Sequence, residues 1–166
     1  MKKRPITKLN EKTLKRTHVP MMLRLQQRHT TPSMFTPRDV YSMIHAVENN
    51  RVVGLFDGRK LVAYSILDTD VPDEDRKLLY DHIDVVYKFA GSVVHSKYRG
   101  RGIQKMLLTS HVEYAISKRA DAIMAYVHPD NKPSIANIES AGLDQLAYLF
   151  IESKQDYRYL YLRELC

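Results

Sequence analysis

The stretch Arg99-Gly100-Arg101-Gly102 lies between an apolar run ending "VVHSKY" and a helical pattern beginning "IQKMLL". Glycine weakens strand and helix interiors alike, so two glycines at this junction indicate a need for bare backbone. The first turn of a helix leaves N–H groups without intrahelical partners and carries the positive end of the macrodipole. A strand, a glycine-bearing basic turn and a helix can therefore hold a phosphate or diphosphate on consecutive amides, with Arg99 and Arg101 adding charge. A plain tight turn that happens to be basic would use the same residue types. Two other phosphate loops do not fit. No Lys-Ser/Thr pair follows the last glycine, where the chain reads Ile103-Gln104, and the third glycine of a dinucleotide fingerprint is missing.

The elements that must position this turn follow from periodicity. "KRPITKLN" reads as a short strand, with Asn10 capping a helix that carries Leu14, Val19, Met22, Leu23 and Leu25 and is kinked or broken at Pro20. "TPRDVYSMIHAVEN" reads as a second helix, capped by Thr36, with Tyr41, Ile44 and Val47 at helical spacing. Asp57-Gly58 between two apolar runs predicts a hairpin. "DTDVPDED" opens an acidic insertion with a short helix expected around Leu78 to His82. A long strand from Ile83 to His95 is interrupted at Ala90-Gly91-Ser92, which indicates a bulge. After the basic turn come a helix with Ile103, Leu107, Val112 and Ala115 on one face, the strand "DAIMAYVH", and a short helix closed by Gly142. Two alternating segments, "DQLAYLFIES" and "DYRYLYLREL", predict a closing hairpin. The unit from Ile83 to Val127 should be a parallel strand–helix–strand crossover.

The composition suits one globular domain over residues 1–166, with 44% apolar and 27% charged residues. The net charge of +7 and pI near 9.4 favour anionic partners or serve solubility alone. The single cysteine, Cys166, excludes an intramolecular disulfide and suits a reducing compartment. The basic start has no apolar run behind it and is not read as a signal peptide, so a cytoplasmic protein without a membrane segment is expected. Aromatics and arginines alternate near the end of the chain, as in some nucleic-acid binders, but period-two alternation is read here as a half-buried hairpin.

The basic turn resembles the acyl-CoA loop of the GNAT acetyltransferases, whose pattern is Arg or Gln, two residues, Gly, one residue, then Gly or Ala. Here Arg99, Gly102 and Gln104 stand at those places, with Gln104 departing from the small residue. Val94-His95-Ser96-Lys97-Tyr98-Arg99-Gly100 is similar to the family's Val-x-Pro-x-Tyr-Arg-Gly without its proline. Downstream, Asn131, Ser134, Gly142 and Leu143 match the family's Asn, short helix and Gly-Phe. These motifs cover residues 93 to 143, and the order of elements matches beyond them.

The resemblance implies an α/β (α+β) fold, with a central mixed, mostly antiparallel sheet of about seven strands, one splayed parallel pair and flanking helices. It implies an acetyl-CoA-dependent N-acetyltransferase that moves an acetyl group to an amine of a small molecule or peptide by direct attack on the thioester. Pantetheine would pair with backbone near Val93, Val94 and His95. The diphosphate would sit on the amides from Gly100 through Arg101, Gly102 and Ile103 to Gln104, with Arg99 and Arg101 adding charge. Asn131 and Ser134 would contact the cofactor, and no metal is implied. The family's usual tyrosine acid falls at Ile138, so the catalytic residues stay open. Tyr126, Tyr148 and Ser134 are candidate donors; His95, His128 and Asp84 are candidate acceptors. Lys88 stands where some relatives carry a carboxylate base. A catalytically silent CoA-binding module is the alternative, and a basic nucleic-acid-binding domain ranks below it. The acceptor is open as well: the acidic insertion could attract a cationic amine or simply be solvated. Monomer and homodimer are both compatible.

Overall fold

The computed structural model describes residues 8–31 and 35–165. Strand β1 spans Asn10–Thr13. The strand expected over residues 3–10 lies mostly outside the described residues, and Asn10 is not a helix cap but pairs with Phe56. The first helix, α1, starts later, at Val19–His29, after a 3-10 turn over Arg16–His18. Pro20 falls in its first turn, where a missing N–H costs nothing, so the proline begins the helix instead of kinking it. Helix α2 spans Val40–Asn49. Its cap is Asp39, not Thr36, with the carboxylate accepting from the Ser42 amide at 2.8 Å. Met43 and Ala46 form its buried face, whereas Tyr41 points to solvent.

Strands β2 (Arg51–Asp57) and β3 (Lys60–Asp68) form the expected hairpin about Gly58-Arg59. The acidic insertion is helical at α3, Asp73–Arg76, rather than at 78–82. Asp73, Glu74 and Asp75 crowd its first turn, where backbone N–H groups favour negative charge. Then follow β4 (Val86–Val94), α4 (Ile103–Ser117), β5 (Ala122–Val127), α5 (Lys132–Ser140), β6 (Asp144–Ile151) and β7 (Asp156–Glu164). The strands form one seven-stranded sheet in the order β1-β2-β3-β4-β5-β7-β6. β4 and β5 are parallel and every other neighbouring pair is antiparallel.

Alternation along the strands sends apolar side chains to both faces. On β2, Val52 and Phe56 pack with Leu14, Met22 and Met43 beneath α1 and α2. Val53 and Leu55 pack with Ile103 and Leu107 of α4 on the other face. Ile123 and Ala125 of β5 join Leu108, Val112 and Ile138, again on the α4 and α5 side. A sheet covered on both faces explains why β2 and β3 read as continuous apolar runs rather than as strict alternation. Each fully buried Leu or Met in these layers contributes about 1.5–3 kcal/mol. Among the described residues, no helix is long and apolar enough to cross a membrane.

Two irregularities open the middle of the sheet. Ile66 pairs with Gly91 but Leu67 pairs with Phe89, so Ala90 is an extra residue in β4. This is the bulge expected at Ala90-Gly91-Ser92, and the φ of +143° at Gly91 explains its glycine. On the other side of β4, pairing with β5 stops at Phe89↔Ala125. Beyond that point the two parallel strands separate.

Candidate active site

The gap between β4 and β5 opens into a cavity of about 410 Å³. Its walls come from the end of α1 and the loop after it, from β4 between Lys88 and Val94, from Tyr126 to His128, and from the start of α5. The backbone of β4 faces this gap in alternate residues. The His95 amide donates to the Val62 carbonyl at 2.8 Å, so His95 belongs to the side of the ladder bonded to β3. In an antiparallel pair the bonded and non-bonded residues alternate. The N–H groups of Val94 and Ser92 therefore point toward the separated β5, while Val93 and the His95 N–H serve β3; the His95 carbonyl accepts from the Tyr98 amide at 2.8 Å and the Val94 carbonyl from Arg99 Nε at 3.2 Å. Of the expected residues Val93, Val94 and His95, the Val94 N–H alone is thus open toward the gap, joined one pleat earlier by the backbone of Ser92; Val93 and His95 are occupied by β3 and by the turn that follows.

The chain then turns through a 3-10 segment, Ser96–Tyr98, into the glycine loop. Gly100 and Gly102 have φ of +74° and +73°, a region that costs an L-residue about 1–2 kcal/mol. A Cβ at either would meet nothing within 4 Å, so the glycines answer to backbone conformation and leave open space over it. Gly102 is the N-cap of α4, and the Met106 amide bonds the Gly102 carbonyl at 3.0 Å. Among the described residues, the amides from Gly100 to Lys105 have no protein acceptor. Arg101 lies over the Tyr98 ring at 5.6 Å, and its Nη1 is buried without a hydrogen-bond partner. An open backbone cradle, free amides and an orphaned guanidinium nitrogen fit an anion such as a diphosphate.

Arg99 has a different task from Arg101. Its Nε donates to the Val94 carbonyl at 3.2 Å and its Nη2 to the carbonyl of His29, at the end of α1. The guanidinium clamps α1 to the end of β4 while still lining the cavity. Gln104 turns away from the loop: it donates to the Ser134 hydroxyl at 3.1 Å and accepts from Asn137 at 2.8 Å. The departure from a small residue is thereby accommodated, and the glutamine ties α4 to α5. Asn131 caps α5 by accepting from the Ser134 amide at 3.3 Å, and both residues line the cavity. Ile103 contributes its amide alone, since its side chain is in the core.

The candidate proton-transfer groups divide sharply. His95 stacks on His29, with ring centroids 3.9 Å apart, and does not line the cavity. Burial, His29 and nearby cations push its pKa down to about 4. His128 lines the cavity, but its Nδ1 accepts from the Asp130 amide at 3.0 Å and its Nε2 is 3.6 Å from Asp156. Its Nδ1 is therefore engaged, while Nε2 stands near Asp156 beyond hydrogen-bond distance. Tyr126 lines the cavity, and its hydroxyl donates to Asp75 at 2.6 Å. Burial, then this bond, raise the phenol's pKa well above its ordinary value. Tyr148 is exposed on β6, packed beside Tyr157 and Tyr159, and Asp84 is exposed with its carbonyl bonded to Arg76. Neither lines the cavity. Ile138, at the family's tyrosine position, is buried with Val127, Leu143 and Tyr161 and faces the core rather than the gap.

Sequence reasoning missed a polar group on the cavity wall. Lys88 donates to Asp75 at 2.8 Å and lies 3.9 Å from Asp68. Asp68, at the end of β3, accepts from Asn50 at 3.0 Å. Burial raises the pKa of Asp68 against the opposing pull of Arg38 and Lys88. Arg38, Lys154 and Arg158 line the same cavity. Asp75 belongs to the acidic insertion that reads as a solvated loop, yet it is turned inward to Lys88 and Tyr126. Its inward turn carries no local signal, because both partners lie on strands distant in sequence.

The family model described as the acetyltransferase (GNAT) family matches residues 14–143. No curated protein matches the chain. A ribosomal-protein alanine N-acetyltransferase from Escherichia coli shares the fold with a TM-score of 0.72 at 16% identity, covering 94% of this chain and 93% of that one. The NatC complex bound to Gag peptide and CoA has a TM-score of 0.76 at 14% identity, over 96% of this chain and 99% of that one. An aminoglycoside acetyltransferase in complex with coenzyme A has a TM-score of 0.74 at 12% identity, over 94% of both chains.

Proposed function

The chain belongs to the GNAT family of acetyltransferases, and from that premise we propose that it moves an acetyl group from acetyl-CoA to an amine. The observation that carries this reading is the cradle of unpartnered amides at Gly100–Gln104, opening beside a gap in the sheet. Acetyl-CoA would supply the acyl group as an activated thioester. The amides from Gly100 to Gln104, with Arg101, receive the diphosphate. Backbone groups of Val94 and Ser92 bond the pantetheine arm along the gap, and Asn131 and Ser134 line its far wall. Arg99 holds the loop, β4 and α1 in register.

An amine must lose a proton to attack, and most amines are protonated at neutral pH. Asp68 is the cavity carboxylate whose burial moves it toward basicity, and we assign it the role of proton acceptor. Tyr126 and Lys88 act through Asp75, fixing the wall beside Asp68. Ser134 accepts from Gln104 and keeps its own hydroxyl proton free to donate. The reading is of one cytoplasmic domain over residues 1–166; a single cysteine in the chain agrees with a reducing compartment.

The test is titration calorimetry with CoA, followed by thiol release from acetyl-CoA across a panel of amines. Micromolar CoA binding with amine-dependent thiol release is expected. CoA binding without release for any amine would favour the silent-module alternative, to which the core position of Ile138 lends weight. Absence of CoA binding would end the proposal.

A further inference from the structure

The wall of the cavity away from the glycine loop has an excess of cations. Arg38, Lys88, Lys154 and Arg158 all line it, contributed by the loop before α2, by β4, by the 3-10 turn Glu152–Lys154 and by β7. Two of the carboxylates nearby are paired: Asp75 accepts from Lys88 and Tyr126, and Asp156 binds Arg158 at 2.8 Å. The third, Asp68, accepts from the neutral Asn50 and lies 3.9 Å from Lys88. Among the described residues, neither Arg38 nor Lys154 forms an ion pair. Arg38 makes two long bonds of 3.3 Å, to the Ser42 hydroxyl and the Ala90 carbonyl. Lys154 has no side-chain hydrogen bond to a described residue. Burial lowers its pKa, as do the charges of Lys88, Arg158 and Arg38 against the opposing pull of Asp75, so these cations are close enough to repel one another. Lys88 and Arg158 have ion-pair partners, whereas Arg38 and Lys154 have none among the described residues, and two such cations beside a cavity are a receptor for an anion.

The cofactor's diphosphate does not explain them. Lys88 precedes Val94 by six residues of β4, one of them the extra residue of the bulge, and five rises of about 3.3 Å put the two roughly 16 Å apart, with Arg38 bonded to the Ala90 carbonyl between them. The free amides of the glycine loop lie beyond Val94 again. The anion expected at Lys154 and Arg38 must come from the other substrate.

We propose that the acceptor is an amine that also carries an anionic group, a carboxylate or a phosphate, and that Lys154 and Arg38 receive that group while Asp68 faces the amine. The inference rests on the acetyltransferase reading and adds the acceptor's chemical class to it. It departs from one of the two open alternatives for the acidic insertion, attraction of a cationic amine. Of the insertion's carboxylates, Asp75 is neutralised by Lys88 behind this wall, and Asp68, the insertion's first residue, lines the cavity and is the one assigned to face the amine.

Matched acceptors test it. Glycylglycine is compared with its C-terminal amide, phosphoethanolamine with ethanolamine, and spermidine serves as a polycation; thiol release gives kcat/KM for each. The anion-bearing member of at least one pair should exceed the partner that lacks the anion by about tenfold or more. Whether that pair is the peptide or the phosphate names the anion. In Lys154→Gln the preference should shrink toward unity with the Kd for CoA unchanged, and this side chain has no hydrogen bond whose loss would threaten folding. Equal use of both members of each pair, or preference for spermidine, would overturn the inference while leaving the acetyltransferase reading intact. If CoA binds but no amine is turned over, calorimetric titration of the CoA-loaded protein with the same pairs decides. Tighter binding of the anionic members supports the inference, and equal or absent heats refute it. A failure to bind CoA at all sinks the acetyltransferase reading, and this inference with it.

Discussion

Replacing Gly102 tests the anion cradle most directly, because the structure separates its two costs. At φ +73°, a side chain of any size strains the backbone. That strain amounts to about 1–2 kcal/mol. For a chain of this size each kcal/mol lowers Tm by about 2–4 °C. No neighbour lies within 4 Å of the added Cβ, so no steric term joins it and the domain should stay folded. The ligand meets a second cost. Gly102→Glu puts a carboxylate over amides that would otherwise donate to a diphosphate, and a hydrogen bond to a charged group is worth about 1.5–3 kcal/mol. Losing two such bonds weakens CoA binding by about 3–6 kcal/mol, or roughly two to four orders of magnitude. Gly58→Ala is the control: its φ is +62°, it too has nothing within 4 Å, and it sits in the β2–β3 turn outside the cavity. Both variants should lose similar stability in a thermal melt, while calorimetry shows CoA binding lost in Gly102→Glu and kept in Gly58→Ala. A folded Gly102→Glu protein with parental CoA affinity would refute the assignment of the loop to the diphosphate.

Three further outcomes are expected. Lys88→Met leaves Asp75 buried without its cation, and urea denaturation should show a loss of about 3–5 kcal/mol, partly restored by the added change Asp75→Leu. The fold should weaken as pH falls. His95 and His111 are held neutral, with pKa values pushed down to about 4 and about 3 from an ordinary 6.5, so the unfolded chain takes up protons first. Their contribution is complete above about pH 6.5 and is lost progressively below it, and Tm measured from pH 7 to pH 4 should fall less steeply in His95→Gln. Gln104→Ala cuts the tie between α4 and α5, which should reduce CoA affinity by several-fold in calorimetry without abolishing it.

The glycine loop was legible in the sequence because its chemistry is local. A turn that must present amides needs positive φ, and only glycine takes that conformation freely. The bulge at Ala90-Gly91 was legible for the same reason. Boundaries at the front of the chain were not. Pro20 can kink a helix or begin one, and the structure chooses the second because Arg16–His18 already forms a turn before it. Thr36 and Asp39 are both good caps, and which one serves depends on where α2 docks. The cationic wall of the cavity was invisible for a deeper reason. Its cations lie on segments up to 120 residues apart, Arg38 to Arg158, and meet only once β4, β5 and β7 are side by side. No local pattern distinguishes them from lysines and arginines kept for solubility.

The parting of β4 from β5 has a consequence for how this sheet meets other chains. An ordinary sheet edge invites any passing strand, and proteins commonly blunt such edges with charge or proline. Here an edge lies in the middle of the sheet, with α1 and α5 at the mouth of the gap. The gap they flank is a recess of about 410 Å³, so this inner edge does not lie along a rim where another sheet could align. An edge set inside a recess gives the protein open backbone without an exposed template for aggregation.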